Sequence, residues 1–397
     1  MGVLSRIGSV RRQALPAARF AWARATGRKH PLMVTLSVTD RCNFRCEYCK
    51  LPEMDRDEMS TADWIRAIDE LADAGMMRVS LMGGEPLVRK DLGILIDHLR
   101  ARGVNIAMNT NGWLVPRRMV DMMKLDLVCV TLDGPPEVHD AQRHRGSQVR
   151  ALSAIELLRS RGMNVVTMTV LTARGVKTVD YVLEQASRLG VRAFFQLVHD
   201  AEGDPDKDIG AGITNGGITE IAQHLLRRKD EGWPVGPSRT YLRALAGEGG
   251  HGVRRLDSCN DCYASRYYAA ITPTGDVIAC PLTFREKSFN GREIGFLRAF
   301  EQLPQPQASG CACYPTQELN YILGGQSEVI FNALGTALGD LVSPAPRPAA
   351  PADSAFDEAP ETGHGFVEKS QRRLPLLGAP NAPNAPIAPN APIAEIR

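Results

Sequence analysis

The sequence predicts an α/β protein, a partial (β/α)6 barrel of the TIM type followed by a smaller C-terminal α+β domain. Two observations predict this class. Six short apolar, β-branched runs recur between residue 31 and about residue 200, and segments with helical spacing separate most of them. Glycines follow several helical segments, where a residue with positive φ commonly ends a helix. Alternating strands and helices with short connections favour parallel strands covered by helices.

The predicted strands span residues 34–38, 79–82, 104–108, 127–132, 165–171 and 193–198. Helical spacing of apolar residues is clearest over 65–72, 92–99 and 179–186. Ser60 is the expected N-cap of the first of these helices, with Asp63 in its first turn. Six strand–helix units rather than eight indicate an open barrel. A flat, doubly wound sheet is the alternative that a count of strands leaves open.

Composition excludes two classes of protein. The 397 residues carry 47 basic and 45 acidic side chains, and this net charge of +2 gives no reason to expect a nucleic-acid partner. No apolar run approaches the roughly 18 residues that a membrane-spanning helix needs, so an integral membrane protein is excluded.

The two ends of the chain differ from its middle. Residues 1–30 hold seven basic side chains and no acidic one. They lack the apolar core of a signal peptide, and they fit either a solvated leader or a segment that contacts an anionic membrane surface. From residue 343 onward, Pro, Ala and Asn-Ala-Pro repeats predict disorder. The predicted organisation is therefore a basic leader (1–30), a barrel (31–205), a second domain (206–342) and a tail (343–397).

Three cysteines follow the first predicted strand at a spacing suited to an iron–sulfur cluster. Cys42, Cys46 and Cys49 lie in the loop after that strand, at the barrel end where (β/α) folds place their chemistry. A [4Fe–4S] cluster normally has four cysteine ligands, so three leave one iron open to a small molecule. The alternatives are a zinc site, which needs four close ligands, and a cluster that only carries electrons.

This triplet, with an aromatic residue at Tyr48, resembles the Cys-x3-Cys-x2-Cys signature of the radical S-adenosylmethionine (radical SAM) enzymes. The resemblance implies that the open iron binds the amino and carboxylate groups of S-adenosylmethionine. Cleavage of this cofactor by one electron then gives a 5′-deoxyadenosyl radical, which abstracts hydrogen from the substrate. Further segments at strand ends resemble the family's cofactor-contacting motifs. Their residues are Gly83, Gly84, Glu85 and Pro86 after the second strand, Asn109 at the end of the third, and Thr131, Asp133 and Arg143 at or after the end of the fourth.

A second group of cysteines lies in the C-terminal half. Its members are Cys259, Cys262, Cys280, Cys311 and Cys313. A turn at Gly275 is expected to form a hairpin that returns Cys280 toward the first pair. The spacing resembles the auxiliary-cluster domains called SPASM and twitch, but five cysteines are fewer than the full pattern. The resemblance therefore implies one auxiliary [4Fe–4S] cluster in a shortened domain, with an all-cysteine zinc site as the alternative. Cys129, inside an apolar strand, is expected to be a small buried hydrophobe.

The resemblance fixes the cofactor better than the substrate. The basic leader is short for a domain that recognises a precursor peptide, so a small-molecule, lipid or isoprenoid substrate in a biosynthetic pathway is expected. A maturase that modifies a peptide or protein is the first alternative, and a non-catalytic iron–sulfur electron carrier or scaffold is the second. The resemblance also implies a reductant such as flavodoxin or ferredoxin. An easily oxidised cluster favours a reducing cytoplasm, where the leader could contact the cytoplasmic face of the membrane.

Overall fold

The computed structural model describes Ala23 and residues 26–172, 178–197, 215–247, 262–281, 287–306 and 313–331. Most of the basic leader and the whole Pro- and Ala-rich tail lie outside these residues, as do Cys259 and Cys311. The expectations for those segments, and the domain boundaries drawn above, therefore stay predictions.

The six barrel strands and the three predicted helices occur in the order that the sequence predicts, and the structure adds further elements. The strands are β1 (Met33–Ser37), β2 (Arg78–Met82), β3 (Asn105–Thr110), β4 (Leu127–Thr131), β5 (Val165–Leu171), β6 (Arg192–Leu197), β7 (Tyr268–Ile271), β8 (Asp276–Ile278) and β9 (Phe289–Asn290). The helices are α1 (Thr61–Asp73), α2 (Leu92–Ala101), α3 (Met119–Met122), α4 (Pro136–Gln142), α5 (Ser147–Ser160), α6 (Val179–Leu189), α7 (Asn215–Asp230), α8 (Arg239–Leu245), α9 (Gly291–Ile294), α10 (Phe296–Gln302) and α11 (Tyr314–Leu323).

Strands β1 to β6 form a parallel sheet in which spatial order equals sequence order. A doubly wound sheet reverses its strand order at a switch point, and no reversal occurs along these six strands. Right-handed crossovers between neighbouring parallel strands place the intervening helices on one face of the sheet. The sheet therefore curves so that its other face becomes the inside of the partial barrel. The predicted partial barrel is confirmed, and the flat alternative is excluded.

Local sequence explains why these elements form. Helix α1 begins with a capping box, in which the Ser60 hydroxyl accepts from the Asp63 backbone N–H and the Asp63 carboxylate accepts from the Ser60 N–H. Helix α6 ends at Gly190, whose φ of 63° is left-handed. The three central residues of β4, Val128 to Val130, are all buried. This pattern is typical of a parallel strand covered on both faces.

The predicted hairpin around Gly275 is confirmed, and it continues the sheet of the barrel. Strand β7 pairs in parallel with β1, strand β8 pairs antiparallel with β7, and β9 pairs antiparallel with β8. Gly275 lies in the turn between β7 and β8 with φ of 93°. The sequence did not predict that this hairpin would join the barrel sheet through β1.

Helix α11 contacts elements from both ends of the six-stranded part of the sheet. The Tyr314 backbone N–H donates to the Gln196 side-chain oxygen on β6, at 2.9 Å. The Asn320 side-chain oxygen accepts from the Tyr263 backbone N–H, shortly before β7, at 3.1 Å. Helix α11 therefore links the edge strand β6 to the segment that enters β7. Among the described helices, none has both the length and the apolar character required to cross a membrane.

Candidate functional site

The cysteine triplet lies in the loop after β1 and faces a cavity at the carboxyl end of the barrel. Cys42, Cys46 and Cys49 are half-buried free cysteines that all line this cavity. Burial raises the pKa of each thiol, and it raises the pKa of Cys42 to about 12. Thiols ligate iron as thiolates, so iron would have to displace these protons. Three sulfurs in one cavity fit the ligand set of a [4Fe–4S] cluster with one open iron.

The same cavity gathers most of the side chains that the family resemblance implies. Residues expected from the sequence line it as follows: Tyr48, Gly83, Gly84, Glu85, Asn109, Thr131 and Arg143. Two expected residues, Pro86 and Asp133, are buried outside this lining. Further lining residues were not expected: Phe44, Pro52, Met82, Thr110 and Asn111. Carboxyl ends of neighbouring parallel strands meet at one edge, which is why motifs up to a hundred residues apart converge.

The two glycines after β2 are required because the backbone of residues 39–41 packs directly against them. A Cβ at Gly84 would lie 2.4 Å from the Arg41 carbonyl oxygen and 2.5 Å from that of Asp40. A Cβ at Gly83, whose φ is 139°, would lie 2.2 Å from the Thr39 carbonyl oxygen. The Gly84 N–H donates to that same Thr39 oxygen at 2.8 Å. Glycine therefore allows the β2 loop to pack directly against the backbone that leads into Cys42.

Glu85 is fully buried and ties the β2 loop to the end of β3. Its Oε1 accepts from the Thr110 hydroxyl at 2.9 Å, and its Oε2 accepts from the Asn111 backbone N–H at 2.7 Å. Burial raises the pKa of Glu85 to about 7, although these hydrogen bonds act in the opposite direction. The carboxyl group thus fixes two loops that line the cavity.

Asp133 is a buried carboxylate that connects three elements beside the cysteine loop. Its Oδ2 accepts from the Tyr48 hydroxyl at 3.1 Å and from Arg143 Nε at 2.5 Å. Its Oδ1 accepts from the Val170 backbone N–H on β5 at 2.8 Å. Burial lowers the pKa of His139 to about 4, so its neutral ring can accept from the Asp133 backbone N–H through Nδ1. Tyr48 and Arg143 line the cavity, and Asp133, which lies outside the lining, orients both side chains.

An aromatic cluster that the sequence did not predict holds the cysteine loop against the barrel. Phe44, between Cys42 and Cys46, stacks on His144 with a centroid distance of 5.3 Å. Trp113 packs edge-on against Phe44 at 5.6 Å and against His144 at 5.3 Å. These three rings come from loops after β1, β3 and α4. Only spatial neighbourhood identifies them, because no local spacing in the sequence links them.

Two cysteines of the second group meet at helix α11, and a third lies beside Tyr268 on β7. Cys280 Sγ lies 3.7 Å from the Thr316 hydroxyl, which donates to Cys313 Sγ at 3.4 Å. Cys262 Sγ lies 3.6 Å from the Tyr268 hydroxyl. The three thiols come from the segment before β7, the end of β8 and the residue before α11. The pair at Thr316 supplies two sulfur donors of the kind that a cluster or a zinc ion takes, and Cys262 is linked to the same helix through the hydrogen bond from Tyr268 to Asn320.

Cys129 lies apart from both cysteine groups. It is buried in the centre of β4, and burial alone raises the pKa of its thiol to about 12. This matches the predicted role of a small buried hydrophobe.

A partial barrel with three cysteines at its carboxyl end, beside a glycine-rich loop, defines the class of radical SAM enzymes. Residues 36–186 match the radical SAM superfamily. The chain is 31% identical over 300 residues to mycofactocin maturase MftC of Mycobacterium tuberculosis, covering 71% of this chain and 75% of that protein. The chain therefore belongs to the radical SAM superfamily. It is an enzyme, and its cofactors are a [4Fe–4S] cluster and S-adenosylmethionine.

Two further comparisons extend this result. PqqA peptide cyclase of Xanthomonas campestris pv. campestris is 31% identical over 267 residues, covering 63% of this chain and 67% of that protein. The crystal structure of Streptococcus suis SuiB bound to precursor peptide SuiA has a similar fold, with a TM-score of 0.57 at 15% identity. The matched region covers 71% of this chain and 67% of the SuiB chain. Of the two sequence relatives, one is named a maturase and the other a peptide cyclase.

Proposed function

We propose that this protein is a radical SAM maturase that modifies a peptide or protein. The observation that carries the proposal is the 31% identity over 300 residues to a maturase, which extends well beyond the matched superfamily region of residues 36–186. A second relative of equal identity is named a peptide cyclase. Similarity over this length bears on the substrate more directly than the size of the basic leader does.

In this proposal, Cys42, Cys46 and Cys49 hold the first cluster. When S-adenosylmethionine is bound at this cluster and an electron is supplied, the cluster and the cofactor together would provide a 5′-deoxyadenosyl radical for hydrogen abstraction. The protein contributes position, because the chemistry belongs to the cofactor. The half-buried cavity at the barrel mouth limits contact of the reacting groups with water.

The other lining residues orient the cofactor. Arg143 donates to Asp133 through Nε. The terminal N–H groups of Arg143 are then placed to pair with the cofactor carboxylate. Gly83 and Gly84 bring backbone C=O groups to the cavity, where these oxygens can accept hydrogen bonds from the amino group. Asn109 and Thr131 provide polar atoms for the ribose.

We further propose that the second cysteine group holds an auxiliary [4Fe–4S] cluster. Cys262, Cys280 and Cys313 provide three ligands around the α11 side chains. Cys259 or Cys311 provides the fourth. The contact of Cys280 and Cys313 with one hydroxyl, that of Thr316, supports this assignment.

Release of 5′-deoxyadenosine tests the division between the two cysteine groups. The anaerobically reconstituted and reduced protein should release it from S-adenosylmethionine, and Cys46→Ala should abolish the release. Cys280→Ala should retain part of the release while losing the modified product. If both variants behave alike, the two groups do not have separate roles.

The substrate class is tested with candidate peptides. The protein should be co-expressed with each short open reading frame adjacent to its gene, with Cys46→Ala as the control. A change in peptide mass that requires Cys46 supports a maturase. Unchanged masses, together with turnover of a lipid or small metabolite in the same cells, would refute the peptide substrate.

A further inference from the structure

The face of helix α11 that meets the second cysteine group carries hydroxyl and amide groups. Thr316 and Asn320 are four residues apart, so both lie on one side of the helix. Thr316 contacts Cys280 and Cys313, and the Asn320 oxygen accepts from the Tyr268 hydroxyl at 3.3 Å. Apolar side chains could pack this buried interface equally well, so its hydroxyl groups are the feature to explain.

The Thr316 hydroxyl lies between two sulfurs. It is 8% exposed, and it donates to Cys313 Sγ while remaining within 3.7 Å of Cys280 Sγ. A hydroxyl has one proton to donate. When both sulfurs are thiolates bound to iron, that proton still has a sulfur acceptor on either side.

The Tyr268 hydroxyl is placed differently. It lies 3.6 Å from Cys262 Sγ, but it donates to the Asn320 side-chain oxygen. Asn320 therefore competes with the sulfur for the single phenolic proton. A hydrogen bond from Tyr268 to the sulfur is weaker or less populated than that from Thr316.

We propose that the Thr316 hydroxyl, and to a smaller degree the Tyr268 hydroxyl, raises the reduction potential of the auxiliary cluster by donating hydrogen bonds to its cysteine sulfurs. The inference rests on the auxiliary cluster of the proposed function. Reduction adds negative charge to the cluster, and hydrogen bonds to the sulfurs stabilise that charge. Thr316 and Tyr268 act through the ligands, and so they are positioning residues that tune an electron acceptor or donor.

The test uses the full chain with Cys42, Cys46 and Cys49 all changed to Ala, so that one cluster remains. Its reduction potential is measured by a titration monitored by electron paramagnetic resonance. Thr316→Val, which keeps the side-chain shape, should move the potential to a more negative value. A shift of about 59 mV corresponds to a tenfold change in the ratio of reduced to oxidised cluster for one electron.

Three further variants distinguish tuning from a structural role. Thr316→Ser should restore the potential, because it restores the hydroxyl group. Tyr268→Phe should shift the potential in the same direction by a smaller amount. Thr274→Val is the matched control: its hydroxyl donates to Asp276 in the β7–β8 turn, so the potential should not change.

The possible failures are separable. If the triple-alanine chain binds zinc, or no iron and sulfide, both the auxiliary cluster and the inference are wrong. If it holds the cluster but Thr316→Val leaves the potential unchanged, only the inference is wrong. A shift that Thr316→Ser does not reverse indicates altered packing and also overturns the inference.

Discussion

Substitution of Asp133 by Asn is expected to destabilise the protein and weaken cofactor binding through Arg143. The side chains of Asp133 and Arg143 are 0% and 8% exposed, so the Asn variant leaves a buried guanidinium without its counter-charge. Removal of one partner of a buried ion pair typically costs about 3–5 kcal/mol. Asn keeps an oxygen for the Val170 N–H, so the lower end of that range, about 3 kcal/mol, is expected for unfolding.

The assay is urea unfolding of the cluster-free chain, followed by circular dichroism, for a double-mutant cycle. Arg143→Met removes the charge that Asp133 neutralises, so Asp133→Asn should cost much less in that background. The sum of the losses in unfolding free energy of the two single variants should therefore exceed the loss of the double variant by about 1–3 kcal/mol. Tyr48→Phe is the control, because it removes one hydrogen bond to the Asp133 carboxylate but no charge, and it should cost about 1.5 kcal/mol.

Binding of S-adenosylmethionine to the reconstituted protein gives the functional side of the same cycle. Asp133→Asn and Arg143→Met should each weaken the affinity, and the double variant should bind no more weakly than Arg143→Met alone. Additive losses in stability and in affinity would refute the reasoning, since they would mean that Asp133 does not act through Arg143.

The remaining predictions concern the loops around the cavity. Gly84→Ala should cost about 2–4 kcal/mol in urea unfolding and prevent cluster incorporation, because its Cβ would meet backbone oxygens. Gly103→Ala, a left-handed position with open space, should cost only about 1–2 kcal/mol and leave the cluster intact; equal effects would contradict the close-packing explanation. The raised pKa of Glu85, about 7 against 4.5, means that the folded state holds the proton more tightly. The free energy of unfolding should therefore fall by about 3 kcal/mol as pH rises through that window, and Glu85→Gln should remove this fall. Trp113→Leu loses two aromatic contacts, so the cluster's visible absorbance should decay faster in air than in the wild type.

Local patterns in the sequence were sufficient for the barrel and the first cysteine group. The strands of the barrel and three of its helices have their own periodicity, and short connections imply parallel strands. The loop with Cys42, Cys46 and Cys49 spans eight residues, so its ligand geometry is encoded within one segment. The hairpin around Gly275 was predictable for the same reason, since a turn is local.

Contacts between distant segments were not predictable in this way. The sequence suggested that Gly83 and Gly84 approach a ligand, and the structure shows that they also approach the backbone of residues 39–41. Asp133 is expected from the sequence to contact the cofactor, and the structure adds that it accepts hydrogen bonds from Tyr48 and Arg143. Such roles depend on which loops pack against each other in the folded protein, and a single sequence does not show this packing.

The sequence by itself determined the fold class, the spacing of Cys42, Cys46 and Cys49, and the family whose signature this spacing matches. Tertiary structure decided that β7 continues the sheet through β1, and that Cys280 and Cys313 meet at Thr316 of helix α11. It also decided that Phe44, Trp113 and His144 form one aromatic cluster. The physical reason is that periodicity and turn chemistry act over a few residues. Side chains from separate segments meet only after the whole chain has packed its core.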